Sequence, residues 1–246
     1  MEIRGTTTLV GILGWPVSHS LSPAMQNAAF AALGLDWVYV PLPTPPERLA
    51  AAVRGIAAAG FAGANVTIPH KTAVIDLCDE VEDVARHAES VNTLVFRDGR
   101  VVGSSTDVVA IEQAAADASG SALVLGRGGS AKAAVAALTR RGLDVMVIGR
   151  HDPGWPPDVT SFAVIVNATP VKDEALVRLQ HGQIVVDLPY QGDGSPTALA
   201  AAANTAGATL VDGLEILLRQ GAASFERWTG RPAPLEAMRA ALPFAT

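Results

Sequence analysis

Ser121-Ala122-Leu123-Val124-Leu125-Gly126-Arg127-Gly128-Gly129-Ser130-Ala131 is the stretch whose reading decides the fold. An apolar strand, Ser121 to Leu125, runs into G-x-G-x-x-A, and Lys132 to Arg141 follow at helical spacing, closed by Gly142. Asp144 to Ile148 then reads as the next strand. Strand, glycine turn, helix and strand in that order form the context that a dinucleotide-binding fingerprint requires. Gly126 permits the tight turn, Gly128 lets a pyrophosphate approach the backbone, and the small Ala131 allows close helix–strand packing.

Working outward on the C-terminal side, the second strand ends Ile148-Gly149-Arg150. An acidic residue at that point serves the ribose 2′-hydroxyl of NAD, whereas an arginine suits a 2′-phosphate. Arg150 therefore makes NADP the expected cofactor, with NAD still possible, although an exposed loop arginine would look the same. Residues 151–161 contain Pro153, Gly154, Pro156 and Pro157 and cannot form the usual crossover helix. Phe162 to Val166, Ile184 to Asp187 and Thr209 to Val211 read as further strands, and Thr197 to Ala206 as a helix. Asp212-Gly213 opens a long helix to Trp228, with Gln220 two turns in, and Glu236 to Leu242 reads as a last helix.

The N-terminal half repeats the α/β alternation. Thr8 to Gly14, Trp37 to Leu42 and Ala64 to Thr67 read as strands, and Ala24 to Leu33 and Pro46 to Ala59 as helices. Asn65-Val66-Thr67-Ile68-Pro69-His70-Lys71 joins a strand to a second pair of predicted helices, Thr72 to Cys78 and Val81 to Glu89. Lys71 is the only lysine before Lys132. A lone lysine at a strand-to-helix edge is a candidate acid or base, and equally a side chain that snorkels from a first turn. Ser18-His19-Ser20-Leu21-Ser22-Pro23 puts hydroxyls at a helix start, where anions are favoured; Ser22 also reads as an N-cap. Val91 to Phe96 and Val101 to Thr106 flank Asp98-Gly99, a hairpin signal that sets Asn92 and Asp107 at one sheet margin. Backbone capping would explain either residue as well.

With 246 residues, 49% hydrophobic and 17% charged, the chain can bury one large core or two modest ones. No apolar run is long enough to span a bilayer, and Met1-Glu2-Ile3-Arg4 lacks a signal-peptide pattern, so a cytoplasmic protein without membrane partners is expected. The single cysteine, Cys78, forbids an internal disulfide and suits a reducing compartment. A net charge of −6 argues against nucleic-acid binding, and five scattered histidines give no ligand spacing, so no metal is expected.

Taken together, Ser20-Leu21-Ser22-Pro23, Asn65 to Lys71, Val91-Asn92-Thr93, Thr106-Asp107, the glycine turn, Asn167-Ala168-Thr169-Pro170 and Gln220 resemble the shikimate dehydrogenase family over nearly the whole chain. The resemblance implies an open α/β substrate domain over residues 1–107 with helices from 213–246, and a Rossmann-like NADP domain over 108–212. It implies interconversion of 3-dehydroshikimate and shikimate, with Lys71 and Asp107 as the acid–base pair. Ser20, Ser22 and Tyr190 would bind the substrate carboxylate, and Thr67, Asn92, Asp107 and Gln220 the ring hydroxyls. Gly126, Arg127, Gly128, Gly129 and Ser130 would meet the pyrophosphate, Arg150 the 2′-phosphate, and Thr169, Leu188 and Gly213 the nicotinamide side. Two departures stand out: Val108 replaces the usual glycine after Thr-Asp, and Gly149-Arg150-His151 with a proline-rich segment replaces the usual Asn-Arg-Thr and its following basic residue. A quinate or aminoshikimate paralogue, and a shikimate-binding regulator without turnover, remain as alternatives; the oligomeric state, monomer or homodimer, is open.

Overall fold

A computed structural model describes residues 2–244. The chain divides into two compact units, the first of residues up to Thr106 together with Leu218–Phe244, the second of Asp107–Leu217. In the first unit the elements run β1 (Thr8–Gly14), α1 (Ser22–Ala32), β2 (Trp37–Pro43), α2 (Leu49–Ala58), β3 (Gly63–Val66), β4 (Glu80–Val81), α3 (Asp83–Ala88), β5 (Thr93–Arg97) and β6 (Arg100–Ser104). The six strands form one sheet in the order β2-β1-β3-β5-β6-β4. β1 pairs parallel with both β2 and β3, β5 runs antiparallel to β3 and β6, and β4 pairs parallel with β6. Asp98 and Gly99 both take positive φ, 52° and 73°, the two-residue turn that matches the twist of the flanking strands.

The second unit continues with α4 (Thr106–Ala114), β7 (Ser121–Leu125), α5 (Gly129–Arg140), β8 (Asp144–Ile148), β9 (Val164–Asn167), β10 (Ile184–Asp187), α6 (Ala198–Ala206) and β11 (Thr209–Val211). Its five strands are all parallel, in the order β11-β10-β9-β7-β8. α7 (Gly213–Thr229) passes to the first unit at Leu218, and α8 (Leu235–Ala240) follows.

Several expectations are corrected at their edges. Thr72 to Cys78 forms a short 3₁₀ run, Ala73–Leu77, rather than a full helix. Val81 belongs to β4, and the following helix is only Asp83–Ala88, stopped by Glu89 in the left-handed region. Pro46–Arg48 is a 3₁₀ turn, and α2 proper begins at Leu49. Ser22 is the first residue of α1, not its N-cap; Leu21 takes the cap position, and the Ser20 hydroxyl instead accepts from the Ser22 N–H at 3.3 Å.

Among the described residues no helix crosses from β8 to β9 or from β9 to β10. The sheet face that carries Leu123, Leu125, Ile165 and Val185 is covered by Leu199 and Ala203 of α6 and by the loop residues Val159, Leu176, Val177 and Leu179, with Trp155 and Phe162 packed alongside. Each large aliphatic side chain so buried is worth about 1.5–3 kcal/mol, whatever the backbone that delivers it.

In the first unit, Leu13, Val53, Val66, Val74, Val91 and Leu94 form the core on one face. Phe30 stacks on Phe225 with centroids 5.3 Å apart, and Trp228 tilts against Tyr39 and donates its indole N–H to the Leu94 carbonyl at 2.9 Å. Gly63 makes room for that indole: a Cβ there would lie 2.3 Å from both Leu94 O and Trp228 Nε1. Gly63→Ala is therefore expected to displace Trp228 and cost about 1–3 kcal/mol. Urea unfolding followed by tryptophan fluorescence reads this, and an unchanged midpoint would refute it.

Candidate active site

The first unit gathers buried amides and hydroxyls at the margin of β3 and β5. Asn65, buried on β3, accepts from Tyr39 Oη at 2.9 Å and donates to Asn92 O, Thr93 Oγ1 and Ser224 Oγ at 3.1, 3.2 and 2.9 Å. Asn92 accepts the Thr106 N–H at 2.7 Å and donates to Thr106 Oγ1 at 2.9 Å and to Gln220 Oε1 at 3.4 Å. Ser224 Oγ sits 2.9 Å from Thr93 Oγ1 and 3.1 Å from Thr106 Oγ1, and itself donates to Gln220 O at 3.0 Å. The structure thus brings Asn92 and Gln220 together. Thr93, Thr106 and Ser224 belong to the same network: the two threonines lie in the Val91-Asn92-Thr93 and Thr106-Asp107 motifs but were given no role, and Ser224 was missed, since a serine inside a helix carries no motif.

Ser20 and Ser22 share the turn that opens α1, with Ser22 buried. Thr67 closes the turn at Ile68-Pro69, a cis peptide, and its carbonyl accepts the His70 N–H at 2.9 Å. His70 is buried, with Nε2 2.7 Å from the Thr44 carbonyl, which accounts for it as a structural residue. Next to it Lys71 is half-buried, its backbone carbonyl accepting from Val91 N at 2.8 Å. Asp107 lies buried in the first turn of α4.

In the second unit the glycine turn fits a dinucleotide. Gly126 has φ +118°, and a Cβ on it would come within 3.0 Å of the Ala168 carbonyl. Gly128 is the N-cap of α5; a Cβ there would meet nothing within 4 Å, and the first turn carries no acidic residue. An open, glycine-lined helix start without a competing carboxylate is a seat for pyrophosphate oxygens. Gly129 and Ser130 begin that helix. Arg127 is exposed and pairs with Asp152 of the following loop, and Arg150 lies 3.5 Å from Glu174.

At the ends of β9 and β10 a second buried network forms. Asn167 Oδ1 accepts from Thr169 N at 3.0 Å and Thr169 Oγ1 at 2.7 Å, while its Nδ2 donates to Asp187 Oδ1 at 2.8 Å. The Thr197 hydroxyl donates to Asp187 Oδ2 and caps α6. Leu188 and Gly213 meet: a Cβ on Gly213 would lie 2.7 Å from Leu188 O. Tyr190 carries Lys172 Nζ 5.7 Å from its ring centre. Among the described residues no cluster of three metal-type ligands occurs, and no helix is long and apolar enough to cross a membrane.

Two α/β units, one of them a Rossmann-like parallel sheet with an open glycine turn, define the class of the fold. Residues 12–94 match the family model of the shikimate dehydrogenase substrate binding domain, and residues 213–242 match that of the shikimate 5′-dehydrogenase C-terminal domain. A relative from Anaeromyxobacter sp. (strain Fw109-5), a shikimate dehydrogenase (NADP(+)), is 43% identical, with 98% of this chain and 97% of that protein covered. A solved shikimate dehydrogenase in complex with NADP+ superimposes with a TM-score of 0.89 at 30% identity, covering 98% of this chain and 96% of its own. The Thermus thermophilus enzyme, solved with NADP(H) and shikimate, gives 0.83 at 31% identity, covering 96% and 98%. The chain belongs to the shikimate dehydrogenase family. The alignment to the Anaeromyxobacter protein extends over 275 residues against the 246 of this chain, so that relative carries internal residues this one lacks.

Burial pushes the Asp187 carboxyl up to about 6 from 3.8, against the opposing effect of its bonds to Thr197 and Asn167. A carboxyl that holds its proton more tightly when folded stabilises the fold most at low pH, and that contribution falls as pH rises from about 4 to about 6. Asp187→Asn is expected to remove a fall on the order of 3 kcal/mol across that window. Denaturant unfolding of both proteins between pH 4 and 7 checks this; parallel stability curves would contradict it.

Proposed function

We propose that this chain catalyses the reversible reduction of 3-dehydroshikimate to shikimate with NADPH, and that it does so as a cytoplasmic enzyme, monomeric or homodimeric, without nucleic-acid or membrane partners. The observation that carries the reading is near-complete coverage by NADP(+)-dependent shikimate dehydrogenases at about two-fifths identity, 43% for one of them. Its substrate and cofactor classes follow the relatives solved with NADP+ and with NADP(H) and shikimate.

The dinucleotide, when bound, supplies the hydride. Every other part of the reaction falls to the protein's own groups. Ser20 and Ser22, at a helix start, hold the substrate carboxylate through hydroxyl and backbone N–H donors, with Tyr190 joining them. Thr67, Asn92, Asp107 and Gln220 hold the ring hydroxyls. Asn92 suits that role because the network of Thr106 and Gln220 fixes its amide before any ligand arrives. As the carbonyl carbon is reduced, negative charge grows on its oxygen; the Lys71 ammonium stabilises that charge and delivers the proton, and Asp107 is its acid–base partner. In the reverse direction Lys71 receives the proton of the shikimate hydroxyl. Gly126 to Ser130 seat the pyrophosphate, Arg150 meets the 2′-phosphate, and Thr169, Leu188 and Gly213 border the nicotinamide.

Lys71→Met keeps the stem and removes the ammonium. Shikimate-dependent NADP+ reduction is expected to fall by about 10²–10⁴-fold, with shikimate affinity by calorimetry changed far less. Wild-type protein that binds shikimate yet never reduces NADP+ would support the non-catalytic reading instead, and full activity in the variant would remove Lys71 from its role.

A further inference from the structure

Both arginines that the family resemblance places at the cofactor's anionic groups are matched with a carboxylate. Arg127, from the glycine turn, donates Nε–H to Asp152 Oδ2 at 2.9 Å and adds a second contact through Nη2. Arg150 lies 3.5 Å from Glu174. The first pair is built into the backbone. Asp152 Oδ2 also accepts the Gly149 N–H at 2.7 Å, which anchors the carboxylate to the end of β8, and 28% of its side chain remains exposed. Gly149 is shaped for the partner: a Cβ there would meet Arg127 Nε, Cδ and Cγ at 3.1, 3.2 and 3.3 Å. The arginine stem therefore lies across the step from the glycine turn to the end of β8.

In a Rossmann-like unit that step is where the adenosine ribose is read. A carboxylate there accepts from a 2′-hydroxyl, and a free arginine attracts a 2′-phosphate. We propose that Asp152 is the residue that sets discrimination between the two dinucleotides in this chain: its anchored carboxylate faces the ribose 2′-position, accepts from a hydroxyl there, and opposes the added phosphate, so that NAD binds with affinity comparable to NADP. The inference rests on the dinucleotide reading above. Arg127 can swing toward a phosphate, since exposed ion pairs hold weakly, but Asp152 stays with Gly149. The Arg127 guanidinium and the Gly149 N–H hold the Asp152 carboxyl below the usual carboxylate range, so the opposing charge persists at neutral pH. Glu174 offsets Arg150 in the same way, which leaves the four side chains with no net charge to draw a dianion in.

Asp152→Asn is the decisive variant, because the amide oxygen can still accept from Gly149 N–H and only the charge is lost. Calorimetry would give dissociation constants for NAD, NADP, ADP and adenosine 2′,5′-bisphosphate, each without shikimate, for the wild type and the variant. Wild type is expected to bind NAD and NADP within about tenfold of each other, and Asp152→Asn to shift the ratio toward NADP by roughly five- to tenfold, more at low salt, as a screened like-charge contact requires. The bisphosphate should gain over ADP by the same factor. An unchanged ratio, or a ratio shifted toward NAD, overturns the proposal. A wild type that binds neither dinucleotide sinks the proposed function itself, a result distinct from binding both with no response at position 152.

Discussion

A carboxamide sealed from water has to find all its partners inside the protein, and the first unit is arranged around one such group. Asn92 is 2% exposed. Leaving either end of its amide unpaired costs about 1–3 kcal/mol, more than the net gain from making an ordinary hydrogen bond. Its oxygen is taken by the Thr106 N–H and its nitrogen by the Thr106 hydroxyl and Gln220. Those bonds hold the start of β5, the residue before Asp107 and the middle of α7 to one another. Asn65, Thr93 and Ser224 extend the same constraint to β3. A polar floor built in this way is rigid because every member would be costly to release.

The second unit uses a carboxylate for the same purpose. Ionised Asp187 only accepts, so the Asn167 amide must turn its nitrogen toward it and its oxygen toward Thr169. Reversing that amide would set two acceptors face to face on one side and two N–H donors on the other. Thr169 must then donate its hydroxyl proton to Asn167 at 2.7 Å, which leaves lone pairs, not a proton, for anything bound beside it. Thr197 closes the chain of bonds while capping α6. A side-chain orientation at the ligand end of the sheet is thus fixed by a helix cap behind it.

Sequence made the strands and the glycine turn legible because each carries its own local pattern. β7 has the bounds read for it, and α5 ends within a residue of the expected Arg141 but starts at Gly129, three residues before the expected Lys132, because the glycine turn itself supplies the first helical residues; the Asp98-Gly99 hairpin follows from dihedral chemistry alone. The serine turn misled, since Ser22 followed by Pro23 looks like a cap and its neighbour; Leu21 holds that position, and Ser22 goes into the interior. Short helical readings also failed where 3₁₀ turns satisfied the few N–H groups available, as at Ala73–Leu77. What sequence left invisible was long-range: Ser224 meets Asn65 across 159 residues, and Asp152 meets Arg127 across 25. No local spacing encodes such a meeting, because chain topology creates it.

Two connections of the parallel sheet dispense with helices, and Trp155, Val159, Leu176 and Leu179 dry its face from irregular chain. Water exclusion is all the sheet demands of that layer; regular hydrogen bonding within the layer is optional. A connection in such a nucleotide fold is accordingly judged by the apolar anchors it drops onto the strands, and irregular chain delivers them here without a helix. Chains trimmed along these lines would make compact starting frameworks for protein engineering.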